Sequence, residues 1–256
     1  MANIERLHDE KTKYDDNYAK QSTINLVIPT REKNRYLTPS EKPIYGRAFS
    51  FFVLGDVKRK TVLDLGCGSG ENTVFLYLKG AKVFAIDYSF EGIVMTQQRL
   101  EANNITDNYY LSQMNAEELA FKDNSFDIVL GNAILHHLDI KIARDELFRI
   151  LKKGGKIILR EPYVDSRILR CIRKLVPFKN VEATKYEKVL EKTDIKGFGD
   201  VFVDVKIWYF EFISRIHVLF KSKVIVALLH EIDAFLLRKF PSLRKFSSCV
   251  VLEYTK

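Results

Sequence analysis

Between Thr61 and Asn72 the chain reads Thr-Val-Leu-Asp-Leu-Gly-Cys-Gly-Ser-Gly-Glu-Asn, a hydrophobic strand running straight into a glycine-rich turn. Gly66, Gly68 and Gly70 stand at alternate positions, which lets the backbone turn sharply and leaves room for a ligand against the main chain. A turn of this kind between strand and helix marks a nucleotide-type site. Asp64, two residues before the first glycine, narrows the ligand. A carboxylate there would repel a pyrophosphate, whereas it suits a ligand carrying an ammonium and a sulfonium. The G-x-G-x-G spacing also differs from the G-x-G-x-x-G of dinucleotide folds. Further on, the adjacent His136 and His137 supply imidazoles that can take a proton near neutral pH, and Glu161 supplies a carboxylate.

These groups need a scaffold, and the hydrophobic pattern predicts one. It gives strand 61–65, helix 70–79, strand 82–87, helix 90–103 and strand 108–113. After a loop come strand 126–131, helix 140–152 and strand 155–161. Strands alternating with helices imply right-handed βαβ units and an α/β, Rossmann-like, doubly wound, mostly parallel sheet with helices on both faces. Ligands in such sheets bind beyond the carboxyl ends of the strands. Asp64, Asp87, Asn115, Asn132 and Glu161 all fall at or near those ends.

Five motifs then stand in order between residues 61 and 161. Asp64-Leu65-Gly66-Cys67-Gly68-Ser69-Gly70 is the first. Ala81-Lys82-Val83-Phe84-Ala85-Ile86-Asp87 places an acid at the end of the second strand, and Asn115-Ala116 follows the third. Ser125-Phe126-Asp127-Ile128-Val129-Leu130-Gly131-Asn132 leads into Ala133-Ile134-Leu135-His136-His137-Leu138. Arg149-Ile150-Leu151-Lys152-Lys153-Gly154-Gly155 closes the set. Together they resemble the class I S-adenosylmethionine (SAM) dependent methyltransferases, and within them the type 11 family related to quinone-biosynthesis enzymes. Lys153 stands where that family more often has proline.

The resemblance implies SAM as cofactor and S-adenosylhomocysteine as product. It also implies a seven-stranded sheet whose last strand, about 246–254, inserts antiparallel beside the fifth. Its cofactor set maps onto Asp64, Gly66, Cys67, Gly68, Gly70, Asp87, Tyr88, Asn115, Ala116 and Asn132. Asp87 would accept hydrogen bonds from both ribose hydroxyls, Tyr88 would pack on the adenine face, and Asn115 would receive the exocyclic amine. His137 and His136 follow the fourth strand, where the family's acceptor pocket opens, so either is a candidate base; alternatively they cap the strand end or orient the methionine part of SAM. Glu161 either receives the acceptor's proton or orients the pocket, its alternative being an ion pair with a nearby lysine or arginine. Tyr14 and Tyr18, at helical spacing in a polar segment 1–20, either fold over the cofactor or lie on a solvated helix.

Outside the core, residues 1–57 read as a cap and connector, with 21–45 an irregular stretch carrying Pro29, Pro39 and Pro43 and a short helix near 46–57. Residues 58–162 hold the SAM-binding core, and 163–256 complete the sheet. Of that last third, 163–200 reads as a helix and a polar loop, and 201–211 as a strand. Residues 213–240 form a hydrophobic insertion of one or two helices, interrupted by too many charges to span a bilayer. It suits a substrate lid, a homodimer surface or a face touching lipid.

Composition fits one structural domain of 256 residues with a net charge of +8. Residues 161–256 hold 18 Lys/Arg against 12 Asp/Glu, so much of the excess lies in the last third. A basic surface can serve nucleic acid, anionic lipid or simple solvation of helices. Three cysteines without metal-ligand spacing predict a reducing compartment and no metal centre, with Cys67 a packed thiol. The amino terminus has no basic segment followed by an apolar run, which predicts no signal peptide and a cytoplasmic protein. The expected activity is methyl transfer to an O or N of a small, partly apolar metabolite. An RNA or other nucleic-acid acceptor is opposed by Gly131-Asn132-Ala133-Ile134, which lacks the Asn/Asp-Pro-Pro-Tyr pattern that holds a flipped base. A SAM-binding regulatory protein without catalysis is the rival from another class, since this chemistry has no compulsory catalytic residue.

Overall fold

The computed structural model describes residues 2–20, 25–38, 43–166, 188–219 and 222–256. Seven strands form one sheet: β1 (Thr61–Leu65), β2 (Lys82–Asp87), β3 (Tyr109–Gln113), β4 (Phe126–Asn132), β5 (Leu151–Pro162), β6 (Asp204–Phe210) and β7 (Cys249–Thr255). Their order is β3-β2-β1-β4-β5-β7-β6. Pairing is parallel from β3 through β5, and β7 alone runs antiparallel, between β5 and β6. The sheet and the antiparallel insertion beside the fifth strand are as expected from the motifs.

Helices cover both faces. One carries α3 (Gly46–Leu54), α4 (Glu71–Leu78) and α5 (Phe90–Ala102), the other α6 (Ile140–Ile150) and α7 (Lys192–Gly199). Alternation along the strands builds the two cores. Val62, Val83, Ile128, Ile158 and Val251 meet Phe51, Leu54, Phe75 and Leu100; Leu63, Leu65, Val129, Ile157 and Leu252 meet Leu147, Ile150, Ile195 and Phe198. Asp64 lies in β1, an interior strand paired on both sides, with no exposed surface. A buried carboxylate at such a place costs free energy unless it serves something.

Several expectations change in the details. Within 21–45 there is a helix, α2 (Thr30–Leu37), where an irregular connector was predicted. Pro29 occupies its N-cap, and Tyr36 anchors it against Phe51 and Phe75, ring centroids 5.4 and 4.5 Å away; one aromatic anchor in a polar octet leaves no readable period. Strand β5 begins at Leu151, four residues earlier than the glycine pair suggested, because Leu151 pairs with Phe126 and a register shift before Ile128 absorbs Gly154 and Gly155. The segment before β7 is a 3₁₀ turn, Pro241–Phe246, so that strand starts at Cys249. The helix predicted after residue 163 falls largely on 167–187, outside the described residues; α7 lies within the stretch read as loop. The hydrophobic insertion is a 3₁₀ turn, Ser214–Leu219, followed by α8 (Lys223–Lys239). The amino-terminal segment is a single helix, α1 (Ala2–Lys20), packed on α5. Among the described residues no helix is long and apolar enough to cross a membrane.

Candidate active site

Strands β1 and β4 are neighbours, and the sheet order reverses beside them. The crevice beyond their carboxyl ends is therefore where a ligand fits. At the end of β1, Gly66 and Gly68 take φ of +68° and +53°. A Cβ at Gly66 would come within 2.8 Å of the Ile134 side chain, and one at Gly68 within 2.6 Å of the Tyr18 hydroxyl. The turn must therefore be glycine both for its backbone and for its neighbours.

A cavity of about 130 Å³ opens over this turn, walled by Gly66, Asp87, Tyr88, Asn115, Ala116, Asn132 and His137. Ile86, Met114, Ile134 and Leu138 add apolar surface. From above, α1 contributes Leu7, Glu10, Lys11, Tyr14 and Tyr18. These follow helical spacing, so one face of α1 closes the crevice. That spacing was readable for the two tyrosines; Glu10 and Leu7 on the same face went unnoticed because single charged and aliphatic residues carry no motif.

Ties from α1 to the core are polar. The Arg6 guanidinium donates to the His137 carbonyl and to Glu117. The Tyr14 hydroxyl lies 3.2 Å from His137 Nε2, and Glu10 Oε2 lies 3.2 Å from His137 Nδ1. Asp15 accepts from the Ser89 hydroxyl and pairs with Lys11 at 2.8 Å.

The Asp87 carboxylate, at the end of β2, accepts from Gly68 N and Ser89 N, both at 2.8 Å. It thus braces the glycine turn while facing the cavity. Burial pushes its carboxyl up, against those backbone N–H groups. Gln113 donates to the Tyr88 carbonyl, and Asn115 Oδ1 accepts from Glu117 N, which fixes the loop after β3.

Four members of the expected cofactor set, Asp64, Cys67, Gly68 and Gly70, are not on the cavity wall. Asp64 is fully buried and accepts from the Thr73 hydroxyl at 2.6 Å, while its Oδ1 has no partner. Cys67 is buried, 3.4 Å from the Thr96 hydroxyl, and burial raises its thiol well above the usual range. Gly70 begins α4, pressed against Thr96. Of the set, Gly66 and the residues around Asp87 line the cavity; the others shape the turn from beneath.

Burial pushes the Asp64 carboxyl up to about 7 from 3.8, against the Thr73 hydrogen bond and the Arg47 charge. The raised value means that its contribution to folding is fully present below the unfolded value and lost as pH rises through the folded one. Asparagine at this place does not titrate. The stability of Asp64→Asn relative to the natural chain is therefore expected to grow between about pH 4 and about pH 7. Thermal melts without ligand check this; a difference that stays flat or shrinks contradicts it.

Beyond β4 the chain turns at Ala133, whose φ of +56° is uncommon for a residue with a side chain. The turn aims the N–H groups of Ile134 and Leu135 at Glu161 Oε1, 3.0 and 2.9 Å away, and His136 Nδ1 lies 2.8 Å from Glu161 Oε2. Glu161 is fully buried and is not on the cavity wall. Neither a proton-accepting carboxylate in the pocket nor an ion pair with a lysine or arginine describes it. It orients His136 and accepts from the Ile134 and Leu135 N–H groups. The Nδ1–H donation fixes the tautomer that leaves the His136 Nε2 lone pair free, and among the described residues Nε2 has no hydrogen-bond partner. The two imidazoles are adjacent, with centroids 4.0 Å apart. His137 faces α1 and the cavity; His136 stands behind it with its carboxylate.

The residues fit SAM. The cavity offers the Asp87 carboxylate at a strand end, apolar surface beside Tyr88, a glycine at Gly66 and an acid at Glu10 for a cationic ligand, with Lys11 occupied by Asp15.

Comparison with known proteins agrees. The family profile described as "Methyltransferase domain" matches residues 63–159. Demethylmenaquinone methyltransferase of Lactiplantibacillus plantarum is 34% identical over 39% of this chain and 44% of its own length. The chain thus spans about half the length of the curated relatives it matches. Among solved structures, a SAM dependent methyltransferase from Archaeoglobus fulgidus superposes with a TM-score of 0.55 at 18% identity, over 80% of this chain and 90% of its own. Geranyl diphosphate C-methyltransferase from Streptomyces coelicolor, solved with S-adenosyl-L-homocysteine, gives 0.55 at 14% identity, over 86% of each chain. Sequence motifs, sheet order and cavity converge with these likenesses: residues 63–159 match a methyltransferase domain.

Proposed function

We propose that the chain transfers a methyl group from SAM to an oxygen or nitrogen of a small, partly apolar metabolite, with His136 taking the acceptor's proton. The observation that supports this reading is the pair formed by buried Glu161 and His136, whose ring centroid lies 4.0 Å from that of His137 on the cavity wall. Bound SAM supplies a methyl group already activated on a positively charged sulfur. What remains for the protein is alignment, worth up to about 7–11 kcal/mol, and removal of a proton.

Asp87, Tyr88, Asn115 and Ala116 would hold the nucleoside end, and Gly66 with Asn132 the other end. Glu161 keeps His136 in the tautomer with a free Nε2, and stabilises the imidazolium once the proton has moved. His137, tied to Tyr14 and Glu10, couples α1 to the site and so helps exclude water. The named relatives act on demethylmenaquinone and geranyl diphosphate, both carrying apolar chains, which supports an acceptor of that character.

The test gives the purified protein methyl-labelled SAM and an extract of source cells lacking the gene. Label is then partitioned among organic-soluble, small aqueous, nucleic-acid and protein fractions. Label in a small-molecule fraction is the expected result. Label confined to nucleic acid or protein would replace the acceptor class, and no transfer to any fraction would favour a SAM-binding regulatory role.

A further inference from the structure

Helix α8 is built inside out. Its buried face carries His230, Asp233 and Leu237. Asp233 accepts the N–H groups of Phe212, Ile213 and Ser214 at 2.7–2.9 Å, and the His230 ring lies 4.5 Å from that of Tyr45. Polar anchors thus fix the helix to the domain. Its bulky apolar side chains point the other way: Val224 is 78% exposed, Leu228 57%, Ile232 39% and Phe235 52%. These residues follow one another at intervals of four, four and three, a single stripe along the helix. Ile225 and Phe240 extend it at either end. Among the described residues neither hydrophobic core includes a member of the stripe.

Charge decides what would. Exposed Lys223 opens the stripe, and exposed Lys239, one turn beyond Phe235, ends it on the same face; exposed Arg238 and Lys245 stand alongside. Glu231 is the one exposed acid among residues 222–248, since Asp233 is buried. An apolar row with basic ends matches acyl chains bordered by anionic headgroups. Two copies packed stripe to stripe would instead bring the lysines of both together with little acid to balance them.

We infer that the exposed face of α8 is a docking surface for an anionic lipid bilayer, on which the helix lies in the plane of the interface. Position gives the surface a purpose. Strand β6 ends at Phe210 and β5 at Pro162, both paired with Cys249, so α8 and its flanking turns are attached at the carboxyl edge of the sheet. That edge also carries Gly66, Asp87, Asn132 and His136. Docking through α8 holds the crevice edge near the membrane, where an amphipathic acceptor would be concentrated. This last clause rests on the proposed function; the docking itself does not.

The experiment sediments the full chain with vesicles of phosphatidylcholine, with and without phosphatidylglycerol. Binding is expected with phosphatidylglycerol, weakening as salt rises. The double variant Leu228→Glu/Phe235→Glu is expected to lower the partition coefficient by at least about tenfold with an unchanged melting temperature, because both side chains are solvent-exposed. Lys223→Glu/Lys239→Glu, which leaves the apolar row intact, is expected to reduce binding to anionic vesicles most at low salt. The inference is overturned if the natural chain ignores both vesicles, or if both variants bind as it does. It is equally overturned if light scattering finds a dimer that Leu228→Glu/Phe235→Glu dissociates, which would assign the stripe to a second copy. Label transfer to soluble acceptors is read separately, so a failed docking test leaves the methyl-transfer proposal standing, and the reverse also holds.

Discussion

Replacing His136 by alanine is expected to lower turnover by about 10²–10⁴-fold while leaving SAM affinity unchanged. The ring is held at Nδ1 by a fully buried carboxylate that also accepts from Ile134 N and Leu135 N. Removing the ring takes away a proton acceptor but no wall of the cavity. Glu161→Gln should cost less turnover and change its pH profile, because an amide can donate to Nδ1 and leave the proton on Nε2, the wrong tautomer for a base. Restoring the carboxylate as Glu161→Asp should recover part of the profile if length is tolerated. His137→Ala should show the opposite division, raising KM for SAM more than it lowers kcat, because that ring bonds to α1 over the cavity. Steady-state kinetics beside equilibrium binding separates the two histidines. If the losses are exchanged between them, the base is His137.

Asp87→Ala is expected to weaken SAM binding at least about tenfold, since two ribose hydroxyls would lose their acceptor in a dry site. The carboxylate also holds Gly68 N and Ser89 N, so alanine frees the glycine turn as well. Asp87→Asn keeps one acceptor oxygen for the turn and should fall between the two. Unchanged affinity for alanine in a calorimetric titration would remove Asp87 from the cofactor site.

Much of this was readable before any coordinates. The alternation of apolar strands with amphipathic helices specifies the parallel sheet, and the strand ends collect Asp87, Asn115 and Asn132 at one edge. What stayed hidden depended on geometry that no residue type announces. Glu161 was expected in the pocket, but the pairing of Asn132 with Arg160 sets it behind the turn at Ala133, where it reaches His136. A positive φ at an alanine leaves no trace in sequence. Asp64 was expected beside the ligand; alternation along β1 turns it toward Thr73 on α4, beneath the glycine turn. Helix α2 is not legible in the sequence because it is anchored by Tyr36 packing on rings distant along the chain and not by its own periodicity. The apolar content of residues 213–240 was plain, but its outward direction depends on Asp233 capping a turn two elements away.

All of the chemistry rests on SAM occupying the crevice between the glycine turn and α1, and a calorimetric titration of the purified chain with SAM, S-adenosylhomocysteine and NAD tests it most directly. The expected result is saturable binding of one SAM per chain, within the range of about 1 μM–1 mM usual for enzyme substrates, competed by S-adenosylhomocysteine and not by NAD. Saturable binding of NAD with no binding of SAM would contradict the assignment at its root.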